Sequence, residues 1–139
     1  MLDLTKERDI HIDQRLRTNV IAWLNTVRPD GRPHTVALWF LWDGQHILIF
    51  SKPEQQKIRN IRQHGQVTLA LDDTKIGEDA VVVEGTAELL HDPDMSAVLA
   101  AYNEKYGALI KSYGWSLDSL MAEYSQGIRI TPTKFMLAQ

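Results

Sequence analysis

The sequence contains no cysteine, and this absence removes several kinds of chemistry at once. Disulfide bonds, thiolate nucleophiles and cysteine-ligated zinc or iron–sulfur centres are all excluded. No apolar run approaches the roughly 20 residues that a membrane-spanning helix needs. The polar amino terminus also lacks the apolar core of a secretory signal. We therefore expect a cytoplasmic protein with no membrane partner.

A strong excess of positive charge is missing as well. The formal net charge is −3, which argues against a nucleic-acid partner. The five histidines show no metal-binding spacing such as HExxH, so no metal site is predicted. The 139 residues are 44% hydrophobic and contain no internal repeat or linker, which predicts one domain over residues 1–139.

The first half of the chain predicts a three-strand meander with two tight turns. Asn19 to Val27 is rich in strand formers, and Thr35 to Trp42 is almost wholly apolar, which predicts a strand covered on both faces. The third strand is expected from His46 to Ser51. Pro29-Asp30-Gly31 and Asp43-Gly44 are typical turn sequences between these strands.

A helix is predicted directly after the third strand, over residues 53–64, beginning at Pro53. It carries the basic residues Lys57, Arg59 and Arg62, and Lys57 shares one face with Asn60. A helix amino terminus favours a phosphate because it carries unpaired N–H groups and a partial positive charge. This layout predicts an anion site near Ser51 and Lys57, although from the residues alone an ordinary surface lysine is the commoner interpretation of Lys57.

The second half of the chain predicts three more strands, at residues 66–71, 80–90 and 127–131. Gly85 is expected to mark a bulge or a close approach of two backbones, and the last strand is expected to continue beyond Pro132. Residues 4–16 are expected to form a short amphipathic helix or an arm. Helices are predicted from an Asp92 N-cap with Pro93 to about residue 112, and over residues 117–123 after a Ser116 cap. Short strands with tight turns favour an antiparallel barrel or half-open sheet. The generous apolar surface predicts a homodimer.

The stretch PHTVALWFLWDGQHILIFSKPEQQKIRNIRQHGQVTLAL, followed by AVVVEGTAEL, resembles the pyridoxamine-phosphate-oxidase-like family of flavin-binding split barrels. The tail YSQGIRITPTKF is similar to a subgroup of flavin- or deazaflavin-dependent enzymes. The similarity covers about residues 15 to 135. It implies a mainly β fold with flanking helices: a six-stranded antiparallel split β-barrel (FMN-binding split barrel) that forms a homodimer with two cofactor sites between the protomers.

The resemblance also implies which residues hold the cofactor, which would be FMN or, as an alternative, the deazaflavin coenzyme F-420. The backbone of the apolar strand would meet the ring, and the following strand end and helix would hold the phosphate. Lys57 matches the phosphate-binding lysine of the family best. The candidate cofactor-binding residues are Val36, Ala37, Leu38, Trp39, Phe50, Ser51, Lys52, Gln56, Lys57 and Asn60.

Several positions depart from the pyridoxamine phosphate oxidases themselves. Gln56 stands where those enzymes place an arginine, Trp39 where they place a lysine, and Ala80 where they place a glutamine. Their carboxy-terminal Arg-x-His motif is absent from TPTKFMLAQ. These differences argue against vitamin B6 oxidation. The leading hypothesis is an oxidoreductase that transfers hydride to or from a small-molecule substrate. The alternative is a non-catalytic split barrel that binds flavin or haem.

Some side chains have competing interpretations. Trp39 and Trp42 lie three positions apart, so a strand places them on opposite faces. Trp42 is expected in the core or an interface, whereas Trp39 is equally consistent with packing or with contact to a cofactor ring. Arg129, between two isoleucines, is expected to pair with a carboxylate rather than to reach a cofactor. Core positions are favoured for Tyr102, Tyr106, Tyr113 and Trp115.

Overall fold

The computed structural model describes residues 1–91 and 95–138. The helices are α1 (Glu7–Thr18), α2 (Gln56–Gln63), α3 (Met95–Ser112) and α4 (Leu117–Glu123). The strands are β1 (Ile21–Val27), β2 (Pro33–Trp39), β3 (Leu41–Trp42), β4 (Ile47–Ser51), β5 (Gln66–Leu71), β6 (Ala80–Leu90) and β7 (Gln126–Ala138). The predicted helix start at Asp92-Pro93 lies outside the described residues. No helix in the described ranges is long and apolar enough to cross a bilayer.

The strands form a single antiparallel sheet in the order β2-β1-β5-β6-β7-β4-β3. The two edge strands, β2 and β3, follow each other in the chain through Phe40, so the sheet must curl to bring its edges together. Contacts between β2 and β4 across this gap complete the curl. The fold is therefore mainly β with flanking helices, in the form of a half-closed barrel.

The described part of the chain forms seven strands rather than the predicted six, because the segment from Thr35 to Trp42 divides at Phe40. Within the described ranges the backbone of Phe40 makes no strand-to-strand hydrogen bonds, but both its N–H and its C=O find side-chain partners. Its N–H donates to the Tyr106 hydroxyl at 2.9 Å, and its carbonyl accepts from the Lys105 ammonium at 2.8 Å. A buried backbone group without a partner would be costly. The side chains of α3 therefore replace the strand-to-strand hydrogen bonds that Phe40 does not make.

The division at Phe40 also makes the predicted three-strand meander wrong. β1 pairs with β2, and β3 pairs with β4, but the two hairpins lie at opposite edges of the sheet. The expectation that both faces of this segment are covered is wrong for β2, because Thr35 and Ala37 are exposed on the outer face. The outer face of β2 is thus left open to solvent or to a partner.

The main core lies on the concave inner face of the sheet. β1 alternates in burial and points Ala22 and Leu24 inward, the period-two pattern of a half-buried strand. Two helices add side chains to this core, α1 through Ile12 and Leu16 and α2 through Ile58 and Ile61. Trp42 is buried in the same core, which confirms its predicted role.

β6 and β7 form the longest pairing, and it contains an irregularity at Gly85. The register shifts between Glu84 and Gly85, and Gly85 lies opposite Pro132. Proline has no N–H for a ladder hydrogen bond and is accommodated at a bulge, so β7 passes through Pro132. A Cβ on Gly85 would lie 2.7 Å from the Thr131 carbonyl oxygen. The predicted bulge, close approach and strand continuation are all confirmed.

Gly85→Ala should therefore destabilise the fold by about 2–3 kcal/mol, because the added methyl meets backbone that cannot move aside. Gly107→Ala is the matched control, since its Cβ would meet only the flexible end of the Asn103 side chain. That substitution gains helix propensity and should stay within about 1 kcal/mol of wild type. Urea denaturation of the three proteins measures the difference. Equal stabilities of the two variants would contradict the close approach.

Candidate functional site

A cavity of about 380 Å³ opens between β2, the end of β4, the start of α2 and the α3–α4 segment. Of the residues predicted from the sequence, it brings together Val36, Ala37, Leu38, Trp39, Phe50 and Lys57. The other lining residues are Gln55, Tyr102, Trp115, Leu120 and Tyr124. The cavity has a basic end at α2 and aromatic walls elsewhere.

The basic end is shaped by the start of α2, which differs from the prediction. The helix begins at Gln56 rather than at Pro53. Glu54 has a φ of 66°, a left-handed conformation that a right-handed helix does not admit. Pro53 and Glu54 therefore form a turn, and this turn brings the helix amino terminus to Gln55, beside Ser51.

Lys57 is the cation at this end and is only 7% exposed. Its ammonium donates to Oε1 of Gln55, and the same oxygen lies 3.3 Å from the Ser51 hydroxyl. Burial, followed by the charge of Lys52, lowers the pKa of Lys57. No carboxylate in the described ranges comes within ion-pair distance of its ammonium. A neutral amide oxygen thus occupies a position that an anionic oxygen would fill more favourably.

The remaining predicted residues surround the cavity without lining it. Ser51 is fully buried, and its hydroxyl donates to the Lys52 carbonyl at 2.8 Å. Gln56 donates to Asn60 at 2.8 Å, and Asn60 donates to Thr26 on β1 at 2.9 Å. Gln56 and Asn60 therefore anchor α2 to the sheet and fix the position of Lys57. Lys52 lies at the rim.

Stacked aromatic side chains form the opposite wall. Trp39 stacks on Tyr106 with ring centroids 4.5 Å apart and planes 3° from parallel. The ring centroids of Tyr102 and Trp115 each lie 6.4 Å from that of Trp39. Burial raises the pKa of Tyr102, so its phenol stays protonated and remains a potential donor. The wall suits a planar, mostly apolar ring system.

The predictions for the aromatic residues have mixed outcomes. Tyr102 and Tyr106 are buried in a second core cluster between α3 and the outer face of the sheet, as expected. Tyr102 also lines the cavity, as does Trp115, which is half exposed. The core assignment is wrong for Trp115 and for Tyr113, which are 50% and 63% exposed because they follow the last turn of α3.

Sequence reasoning missed Gln55, Leu120 and Tyr124. Gln55 precedes the helix and carries no charge that would attract notice, although its position next to Ser51 and Lys57 was a usable signal. Leu120 and Tyr124 reach the cavity only because α4 packs near it. Their contribution depends on tertiary placement that no local pattern indicates.

Two other groups stand apart from the site. Arg129 pairs with Glu88 on the neighbouring strand, with Nε and Oε1 2.8 Å apart, which confirms the predicted carboxylate partner. His34, on β2, has a pKa lowered by burial and by the charges of Arg28 and Lys57. It is therefore neutral at pH 7 and leaves Lys57 as the cation that lines the cavity. The described residues contain no cluster of three or more potential metal ligands.

The family model of pyridoxamine 5'-phosphate oxidase matches residues 9–137. The chain belongs to this family. The match spans nearly the whole chain and agrees with the curled antiparallel sheet described above. A comparison with curated proteins found no match.

Solved structures show the same fold. An F420 reductase is 28% identical, with 89% of this chain and 94% of that chain covered and a TM-score of 0.70. A FAD-binding protein from Mesorhizobium loti is 25% identical, with coverages of 91% and 88% and a TM-score of 0.65. The haem storage protein HutZ from Vibrio cholerae is 17% identical, with coverages of 94% and 93% and a TM-score of 0.68. This last likeness concerns the fold alone.

Tyr106→Phe tests the support beneath the aromatic wall. The variant keeps the ring that stacks on Trp39 but loses the hydroxyl that accepts from Phe40 and lies 2.7 Å from the Val20 carbonyl. Leaving these buried groups unpaired should cost about 1–3 kcal/mol of stability. Chemical denaturation measures this loss. Tyr113→Phe is the exposed control, and its stability should lie within about 0.5 kcal/mol of wild type. Equal effects of the two changes would contradict a structural role for this hydroxyl.

Proposed function

We propose that this chain is an oxidoreductase that binds FMN, or the deazaflavin coenzyme F-420, at the junction of two copies. It transfers hydride to or from a small-molecule substrate. The observation that carries the proposal is the buried ammonium of Lys57, which has no carboxylate partner in the described ranges and lies at one end of an aromatic cavity. A ligand with a phosphate and a planar ring system would fit this cavity, because the phosphate would pair with Lys57 and the ring would pack against the aromatic walls.

The residues at the basic end fit a phosphate. An anionic oxygen could replace Oε1 of Gln55 between Lys57 and Ser51, forming charge-assisted hydrogen bonds. The adjacent amino terminus of α2 favours negative charge as well. Desolvation already weakens the charged form of Lys57, so an anion there compensates a cost that the folded chain otherwise bears.

The residues along β2 fit a ring. β2 lies at an edge of the sheet and pairs only with β1 within the described residues. Its other edge therefore has backbone N–H and C=O groups that no strand uses. Such N–H groups stabilise negative charge at a fixed position. When bound, the flavin or deazaflavin ring supplies the hydride chemistry, and the role of the chain is to bind it, orient it and exclude water.

The cavity contains no obvious acid–base pair. Its titratable lining residues are Lys57, Tyr102 and Tyr124, and no carboxylate lines it among the described residues. Hydride transfer to or from a ring needs no side-chain nucleophile, so this lining supports redox chemistry better than hydrolysis. It also lacks histidine, methionine and cysteine within the described ranges, the commonest axial ligands of haem, and among the residue types that ligate haem it offers only tyrosine. The lining therefore fits a flavin or deazaflavin better than haem.

The outer face of the sheet supports a homodimer. Ile21 and Trp23 are 43% and 49% exposed, and Trp23 pairs across the sheet with Ala37. Ala37 lies on this apolar face and also lines the cavity. A second copy that covers the face would thus also close one side of the cavity. Exposed apolar patches of this kind mark interaction surfaces.

The similar structures support both cofactor classes. One relative is an F420 reductase and another a FAD-binding protein. The direct test is the visible absorption of freshly purified protein, followed by titration with FMN and with the deazaflavin. Turnover of a nicotinamide or deazaflavin donor by the loaded protein then separates an enzyme from a binding protein. A colourless protein that binds neither compound would overturn the proposal.

Lys57→Ala should weaken FMN binding by about 1.5–3 kcal/mol, roughly tenfold or more, because one charge-assisted phosphate contact is lost. Riboflavin, which lacks the phosphate, should bind the wild type and Lys57→Ala with the same affinity. Arg62→Ala is the control on the same helix, since Arg62 is exposed and paired with Glu54. Isothermal titration calorimetry measures the affinities of the wild type and of both variants for FMN and for riboflavin. An unchanged FMN affinity in Lys57→Ala would place the phosphate elsewhere.

Trp23→Glu should weaken dimer association by at least about 2 kcal/mol, roughly 30-fold, because it removes an aromatic anchor and buries a charge. Sedimentation velocity at several concentrations measures the shift toward monomer. Ile76→Glu is the control, because Ile76 is 74% exposed in the loop before β6. A wild-type protein that is monomeric throughout, or a Trp23→Glu variant that stays dimeric, would reject this interface.

A further inference from the structure

A second lysine lies at the rim of the cavity and is held by an acidic residue from α4. Lys52 follows Ser51 at the end of β4, and its ammonium lies 2.9 Å from a carboxylate oxygen of Glu123. The hydrogen bond and charge of Glu123 raise the pKa of Lys52. The same ammonium lies 5.5 Å from the ring centroid of Tyr124. Lys52 is thus directed toward α4.

Lys52 is also close enough to the basic end to affect it. Burial and, second, the charge of Lys52 lower the pKa of Lys57, and Lys52 directly follows Ser51, whose hydroxyl shares Oε1 of Gln55 with Lys57. Tyr124, the neighbour of Glu123, lines the cavity. Glu123 therefore lies beside a residue of the cavity wall, and there it neutralises Lys52, the cation that follows Ser51 at the basic end.

We propose that Glu123 is a specificity-determining residue that holds Lys52 and thereby limits the negative charge that a cofactor tail can carry. The inference rests on the proposed function and refines it. FMN ends in a compact phosphate, for which Lys57 and the start of α2 suffice. The deazaflavin continues into a longer acidic tail, which needs a further cation and meets the carboxylate of Glu123. The native chain should accordingly favour FMN.

Removing Glu123 is a mild change for the fold. The ion pair is exposed on both sides, with 42% and 58% of the side-chain surfaces accessible, and exposed pairs contribute little to stability. Its effect on a ligand is different, because an added or removed charge acts in proportion to the charge of that ligand. The more acidic cofactor should therefore respond more strongly to the substitution.

The experiment compares wild type, Glu123→Gln and Asp118→Asn, each titrated with FMN and with coenzyme F-420 at low salt. Asp118→Asn removes one negative charge from the exposed first turn of α4, at the opposite end of this helix from Glu123. In Glu123→Gln, F-420 should bind about tenfold tighter and FMN about threefold tighter. Asp118→Asn should change either affinity by less than about twofold. The gains should shrink at high salt, since exposed charges are screened.

A double variant tests the route through Lys52. In a Lys52→Gln background, Glu123→Gln should improve F-420 binding clearly less than it does in the wild-type background, because the cation that it releases is gone and only the repulsion by its own carboxylate is relieved. An equally large gain there, equal gains in Asp118→Asn, or an unchanged ratio of the two affinities would each overturn the inference while leaving the proposed function intact. Wild-type protein that binds neither compound would overturn both.

Discussion

The anchoring of Phe40 by α3 is the contact on which the barrel depends. Because Tyr106 and Lys105 bond the Phe40 backbone, the chain can leave one edge of the sheet and join the other without burying unpaired groups. The curl of the sheet follows from this crossing. The same tyrosine stacks on Trp39, so the residue that permits the crossing also supports one wall of the cavity from behind. Fold and site therefore share one support.

Most strands could be predicted from the sequence because their signals are local. Alternation and turn residues placed β1, β4, β5 and β6 closely, and Gly85 indicated the bulge that lets β7 pass Pro132. The break at Phe40 could not be predicted, because its partner Tyr106 lies 66 residues away. Without that contact, an unbroken apolar run predicts an unbroken strand. The resulting meander was wrong for that reason.

The candidate site also has one part that local sequence predicts and one part that depends on distant contacts. Its basic end comes from one local stretch, β4 and α2, and Lys57 was predicted there from helix-terminus chemistry and from the family resemblance. Its aromatic walls come from β2, α3 and α4, which meet only in the folded chain. Gln55 is intermediate: it is local, but a neutral amide becomes informative only when its oxygen is seen to accept from Lys57.

A buried lysine with only a neutral acceptor is a poor choice for stability alone, because desolvation penalises its charge. The lowered pKa of Lys57 expresses this penalty. A bound phosphate would favour the charged form of Lys57, so binding would be coupled to proton uptake at alkaline pH, and affinity would fall as the pH rises far enough for the amine to lose its proton. A ligand that binds only the folded state also stabilises it. The desolvation of Lys57 in the free chain would thus be the source of the proposed preference for an anion.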